Sequence, residues 1–216
     1  MAQGAVLEEA AAGQPTIVPP APQKMTYAEF LEWADEDTYA EWVNGEIIMA
    51  SPASVRHQDV GDFLTALLRH YVEAHQRGRV ISAPFQMKTA APLPGREPDL
   101  LFIANEHLDR LKNTYLDGAA DLAIEIISPE SRARDRGDKY FEYEQGGVRE
   151  YWLIDPLRKQ ADFYQLGADG IYRTAQLAAD GIFRSAVLEG LWLPVAWLWQ
   201  DPLPPLLSVL KEWKLI

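Results

Sequence analysis

With 216 residues, 48% of them hydrophobic, the chain can bury a sizeable core in one large domain or two small ones. It has no cysteine, which excludes disulfides and thiolate metal sites and agrees with a reducing cytoplasm. The 32 acidic side chains outnumber the 20 basic ones, and a formal net charge of −12 repels nucleic acid except at a local basic patch or a bound cation.

Residues 1–24 are rich in Ala, Pro and Gln, show little periodicity and lack a basic leader. A disordered tail is expected there, followed by one domain over 25–216. Thr26 with Glu29 forms a capping-box pattern, so a short helix should run to about Trp33. Asn44-Gly45, flanked by apolar residues, predicts a hairpin over 41–51. Val60, Phe63, Leu64, Leu67, Leu68, Tyr71 and Val72 recur at helical spacing and predict a helix from His57 to Gln76. Strands are expected over 79–89, 98–104 and 121–128. A second helix is expected over 131–145, weakened by Gly137 and closed by Gly146-Gly147. REYWLID reads as a further strand, and 161–177 as a hairpin around 167–170. The apolar, Pro-rich C-terminal stretch suits a cap on the domain or an interface. No run reaches the roughly 20 apolar residues of a membrane span. The order of elements indicates a mixed α/β fold around a central sheet.

Glu125 interrupts an apolar strand, DLAIEIISPE, where a lone ionised carboxylate is costly. Asp99 follows Pro98 at the head of another apolar run, EPDLLFI. If the two strands are neighbours in suitable register, both acids project from one side. Two close carboxylates ionise together only around a cation, and oxygen donors suit Mg²⁺ or Mn²⁺. Lys139, on the next predicted helix, lies one turn from Asp135 and Tyr143 and can reach such a site. Taken singly, each residue has a plainer reading: a structural ion pair for Glu125, a turn residue for Asp99 and a solvated helix residue for Lys139. Tyr140, Phe141, Tyr143, Tyr151 and Trp152 read as core. Arg132, Arg134 and Arg136 offer a small basic patch, unless Glu130, Asp135 and Asp138 balance it.

The ordered pattern NGEIIMASP, His57 opening a helix, EPDLLFI, AIEIISPES and DKYFEYEQGGVREYWLIDP resembles the Uma-two family, within the PD-(D/E)XK nuclease superfamily. The resemblance spans about residue 25 to the C-terminus. It implies a restriction-endonuclease-like core, a central mixed β-sheet flanked by helices, and Mg²⁺-dependent hydrolysis of DNA phosphodiesters. Carried over by position, Asp99 and Glu125 hold the metal and Lys139 assists catalysis. The superfamily's usual lysine would fall at position 127, which is Ile127 here. Glu46, as an added carboxylate, and His57, in contact with substrate or the metal's outer shell, are secondary candidates. A homodimer is expected for cutting both strands of a pseudo-symmetric duplex. The competing reading is a catalytically inactive binding or scaffold protein on a nuclease fold, motivated by the acidity and by Ile127.

Overall fold

A computed structural model describes residues 24–35 and 37–216 of the chain, so the predicted N-terminal tail lies outside the described residues apart from Lys24. In chain order the first elements are α1 (Tyr27–Trp33), β1 (Ala40–Val43), β2 (Glu46–Met49), α2 (Val55–Ala74), β3 (Gly78–Ser82), β4 (Gln86–Lys88) and β5 (Gly95–Arg96). Then come β6 (Leu100–Ala104), β7 (Tyr115–Asp117), β8 (Leu122–Ile126), α3 (Arg132–Arg136), α4 (Asp138–Gly146) and β9 (Glu150–Asp155). The chain closes with β10 (Gln160–Leu166), β11 (Tyr172–Thr174), β12 (Ile182–Arg184), β13 (Trp192–Pro194) and α5 (Leu206–Glu212).

A six-stranded mixed sheet in the order β11-β10-β9-β8-β6-β3 forms the centre. Its single parallel pairing joins β8 to β9, and the chain crosses between them through α3 and α4. Alternation along β8 serves two cores. Leu122, Ile124 and Ile126 face the α2 residues Val60, Leu64 and Leu67, together with Trp152 and Ile154. Ala123 and Ile127 face the other way, toward Tyr143 of α4 and Leu101, Ile103, Tyr151 and Leu153. The C-terminal apolar stretch caps the first core: Leu198, Val209 and Leu210 are buried with α2.

Beside the central sheet lies a five-stranded one, β2-β1-β5-β4-β7, which the sequence reading did not separate. The predicted strand over 79–89 is in fact two strands, β3 in the large sheet and β4 in the small one. The β1–β2 hairpin turns where expected, with Asn44 at φ 53° and Gly45 at φ 92°, both in the left-handed region that Asn-Gly tolerates. The capping box of α1 forms, Thr26 and Glu29 bonding reciprocally. Helix α2 begins two residues before His57, because Ser54 accepts from the His57 amide as N-cap. The predicted helix over 131–145 breaks at Gly137 into α3 and α4. Phe141, expected in the core, is exposed, since α4 turns that face to solvent.

Candidate active site

The β6–β8 ladder pairs Leu100 with Ile124 and Leu101 with Ala123, a register that carries Asp99 opposite Glu125 one step further on. Asp99 sits just ahead of β6, where its Oδ2 accepts the Ile126 amide at 2.6 Å. The same oxygen lies 3.4 Å from His57 Nε2 at the start of α2. Burial pulls the His57 imidazole pKa down, but Asp99 overcomes this and leaves it raised. Glu125 is buried at the end of β8, and its Oε1 accepts from Lys139 Nζ at 2.8 Å and Tyr143 OH at 2.7 Å. Every hydrogen bond that Asp99 and Glu125 accept from the described residues falls on one oxygen each, leaving Asp99 Oδ1 and Glu125 Oε2 without a protein donor.

Lys139 does not point to solvent. Its ammonium is buried against three carboxylates: Glu125, Glu41 Oε1 at 2.8 Å and Asp135 Oδ1 at 3.6 Å. Burial opposes its charge, yet Glu125, Glu41 and Asp135 hold its pKa above the ordinary lysine value. Glu41 comes from β1 of the small sheet and is held on its other side, with Oε2 2.9 Å from Arg96 and 3.4 Å from Arg134. Arg96 in turn forks onto Glu142 at 2.7 and 2.8 Å. Burial would raise the Glu41 carboxyl, but Lys139 and Arg96 hold it at about 2. Glu125 moves the opposite way: burial pushes it well above the usual carboxylate range, reinforced by Asp135, Asp99 and Glu41 against Lys139. Glu97 is pushed up to about 7, chiefly by burial.

Glu41, Glu97, Asp99, Glu125, Asp135 and Lys139 line a cleft of about 610 Å³, with Tyr39, Met49 and Ser51 at its rim and His57 on its wall. The lining is acidic. Glu41, Asp62, Glu97, Asp99, Glu125, Glu130 and Asp135 face Lys139 and Arg134. Asp99, Glu125, Lys139 and His57, chosen from the sequence, are thus brought together. Glu46 is not: it is exposed at the start of β2 and is not part of the cleft lining, and the carboxylate its hairpin contributes is Glu41. The arginines weighed as a possible basic patch are paired instead: Arg132 with Asp155, Arg134 with Glu41 and Arg136 with Asp162. A second grouping of metal-ligand types, Glu106, His107 and Asp121, lies near the opposite end of β8. Its buried Asp121 already receives the Ala104 amide, His107 and Arg149, which satisfies it without a cation.

A family profile described as "Putative restriction endonuclease" and named Uma2 matches residues 27–196. The chain belongs to the Uma2 family. A solved structure titled as a "putative nuclease belonging to DUF820", from Anabaena variabilis ATCC 29413, shares the fold. It has a TM-score of 0.67 and 19% identity, with 81% of this chain and 97% of that chain covered. No curated protein sequence gives a significant match.

Within the Uma2 domain, three groups at the site were missed from sequence: Glu41, Asp135 and the hydroxyl of Tyr143. Glu41 carried the signal that had singled out Glu125, a carboxylate set among apolar strand residues in AEWV. Tyr143 was assigned to the core, and it is buried there, but its hydroxyl is committed to Glu125. Asp135 gave no sequence sign of burial, yet on α3 it is buried in the cleft lining beside Lys139.

Proposed function

We propose that the protein is a divalent-metal-dependent endonuclease hydrolysing DNA phosphodiester bonds, with Asp99 and Glu125 holding Mg²⁺ or Mn²⁺. Family membership supports nuclease chemistry in general terms. The observation that carries the finer reading is the opposition of Asp99 and Glu125 across the β6–β8 register, each with one oxygen lacking a protein donor. Hard, anionic oxygen donors in a polar cleft fit such an ion. When bound, the ion supplies Lewis acidity, neutralising phosphate charge and easing deprotonation of water. The chain's own groups do the rest. The Ile126 amide and His57 fix the Asp99 carboxylate, and Tyr143 fixes Glu125. Lys139 brings a charge that can stabilise the developing negative charge on the phosphoryl oxygens.

Supercoiled plasmid incubated with the protein and Mg²⁺ or Mn²⁺ tests the proposal. Asp99→Asn and Glu125→Gln should each lower the nicking rate at least about a hundredfold. Cleavage that survives both substitutions, or that proceeds in chelator, overturns the assignment. On this reading two copies act on a duplex, and sedimentation showing only the 24.3 kDa species at micromolar concentration removes that part.

A second reading, an inactive binding protein on this fold, is favoured by the acidity of the cleft. It requires no metal. Calorimetric titration that detects no Asp99-dependent Mn²⁺ binding supports it over the first.

A further inference from the structure

Lys139 stands where a cation would. Carboxylates from three separate elements, Glu41 of β1, Glu125 of β8 and Asp135 of α3, converge on its ammonium at 2.8, 2.8 and 3.6 Å. The cage is incompletely satisfied by that ammonium: Asp135 Oδ1 is buried and has no hydrogen-bond partner. A buried carboxylate oxygen left in this way is an unfavourable arrangement that a closer or more highly charged cation would relieve.

We infer that Lys139 is a resident counter-ion that competes with the divalent metal for Glu125 and is displaced onto Glu41 when the metal binds. This rests on the metal reading of Asp99 and Glu125 given above. Glu125 Oε1 is shared between Lys139 and Tyr143, so a dication drawn to the same carboxylate repels an ammonium already placed on it. The lysine has a second position within reach. Glu41 Oε1 is already 2.8 Å away, and the Glu41 charge is anchored from its other oxygen by Arg96 and Arg134. Displacement therefore costs Lys139 one partner and leaves it on the cleft wall, where a substrate phosphate would need a positive charge. In this arrangement Glu41 is a positioning residue, the tether that keeps the displaced ammonium in the site.

The test is Mn²⁺ titration by calorimetry on the full chain, comparing wild type, Lys139→Met, Lys139→Arg and Asp99→Asn. Lys139→Met should bind Mn²⁺ at least about tenfold more tightly than wild type, because the competing charge is gone. Lys139→Arg, which keeps the charge, should stay near wild type. Asp99→Asn should abolish binding. Equal or weaker binding by Lys139→Met overturns the inference. Removing the ammonium leaves buried carboxylates uncompensated, so Lys139→Met should also be less folded without metal, read by circular dichroism. Mn²⁺ should restore its fold, and failure to do so likewise overturns the inference. If wild type shows no Asp99-dependent binding, the metal reading falls and this inference with it. If that binding is present but Lys139→Met gains nothing, only the displacement falls.

Discussion

Glu97 and Glu41 are neighbours in the cleft with opposite behaviour. Burial raises Glu97 from an ordinary 4.5 to about 7, despite a hydrogen bond from Gln86 at 3.0 Å. The folded protein therefore holds this proton more tightly than the unfolded chain does. The associated stability is fully present below about pH 4.5 and is lost as pH rises through about 7. Glu41, held at about 2, works the other way: it stabilises the fold above about 4.5, and that contribution disappears as pH falls towards 2. Glu97→Gln should leave stability unchanged near pH 4.5 and raise it by about 1 kcal/mol near pH 8, after discounting for partial exposure. Urea unfolding at the two pH values checks this, and an effect independent of pH would show that Glu97 ionises normally.

At the scale of elements, the break between α3 and α4 sets where Lys139 stands. Gly137 has φ −112° and ψ −88°, and a Cβ there would lie 2.8 Å from the Ala133 carbonyl. Gly137→Ala should therefore cost about 1–2 kcal/mol in denaturant unfolding, although alanine is the better helix former. A stabilised variant would mean that the two helices can merge without loss. Gly137 was visible in the sequence as a weak point, but the direction of the break was not. What could be read from the sequence was whatever had a local cause: the Thr26 cap, the Asn44-Gly45 turn, the apolar stripe of α2 and the alternation of β8 and β9. The small sheet escaped because β4, β5 and β7 are only two or three residues long, too short to show a period. Its absence from the sequence reading is also why Glu41 went unnoticed as a partner of Lys139. A residue brought in by a neighbouring sheet has no spacing relationship to the rest of the site.

For the whole molecule, the net charge of −12 and the acidic cleft limit how DNA, the substrate proposed above, could be held. Arg132, Arg134 and Arg136, beside the site, are tied to Asp155, Glu41 and Asp162. Binding to duplex DNA, followed by fluorescence anisotropy, should be undetectable at micromolar protein in chelator and should appear with Mn²⁺. The dependence of log affinity on log salt should be shallow, with a slope of about −2, since the cations lining the cleft, Lys139 and Arg134, are already paired with carboxylates. A steep slope would reveal a basic surface elsewhere. The acidity was plain from composition. Its concentration around one cleft was not, because it depends on two sheets, α2 and α3 meeting there.

On the proposed metal reading, the hydrogen bond from the Ile126 amide to Asp99 bears on which ion the site would prefer. An oxygen committed to the backbone of β8 cannot turn to join its partner oxygen in chelating a metal, and Glu125 is restrained similarly by Tyr143 and Lys139. Each acid then offers a metal one oxygen free of protein donors. Ca²⁺ favours six to eight oxygens and readily takes carboxylates in bidentate fashion. Mg²⁺ accepts one or two such contacts and keeps its own water. On the proposed reading, discrimination between the two ions is written into bonds that never touch either one.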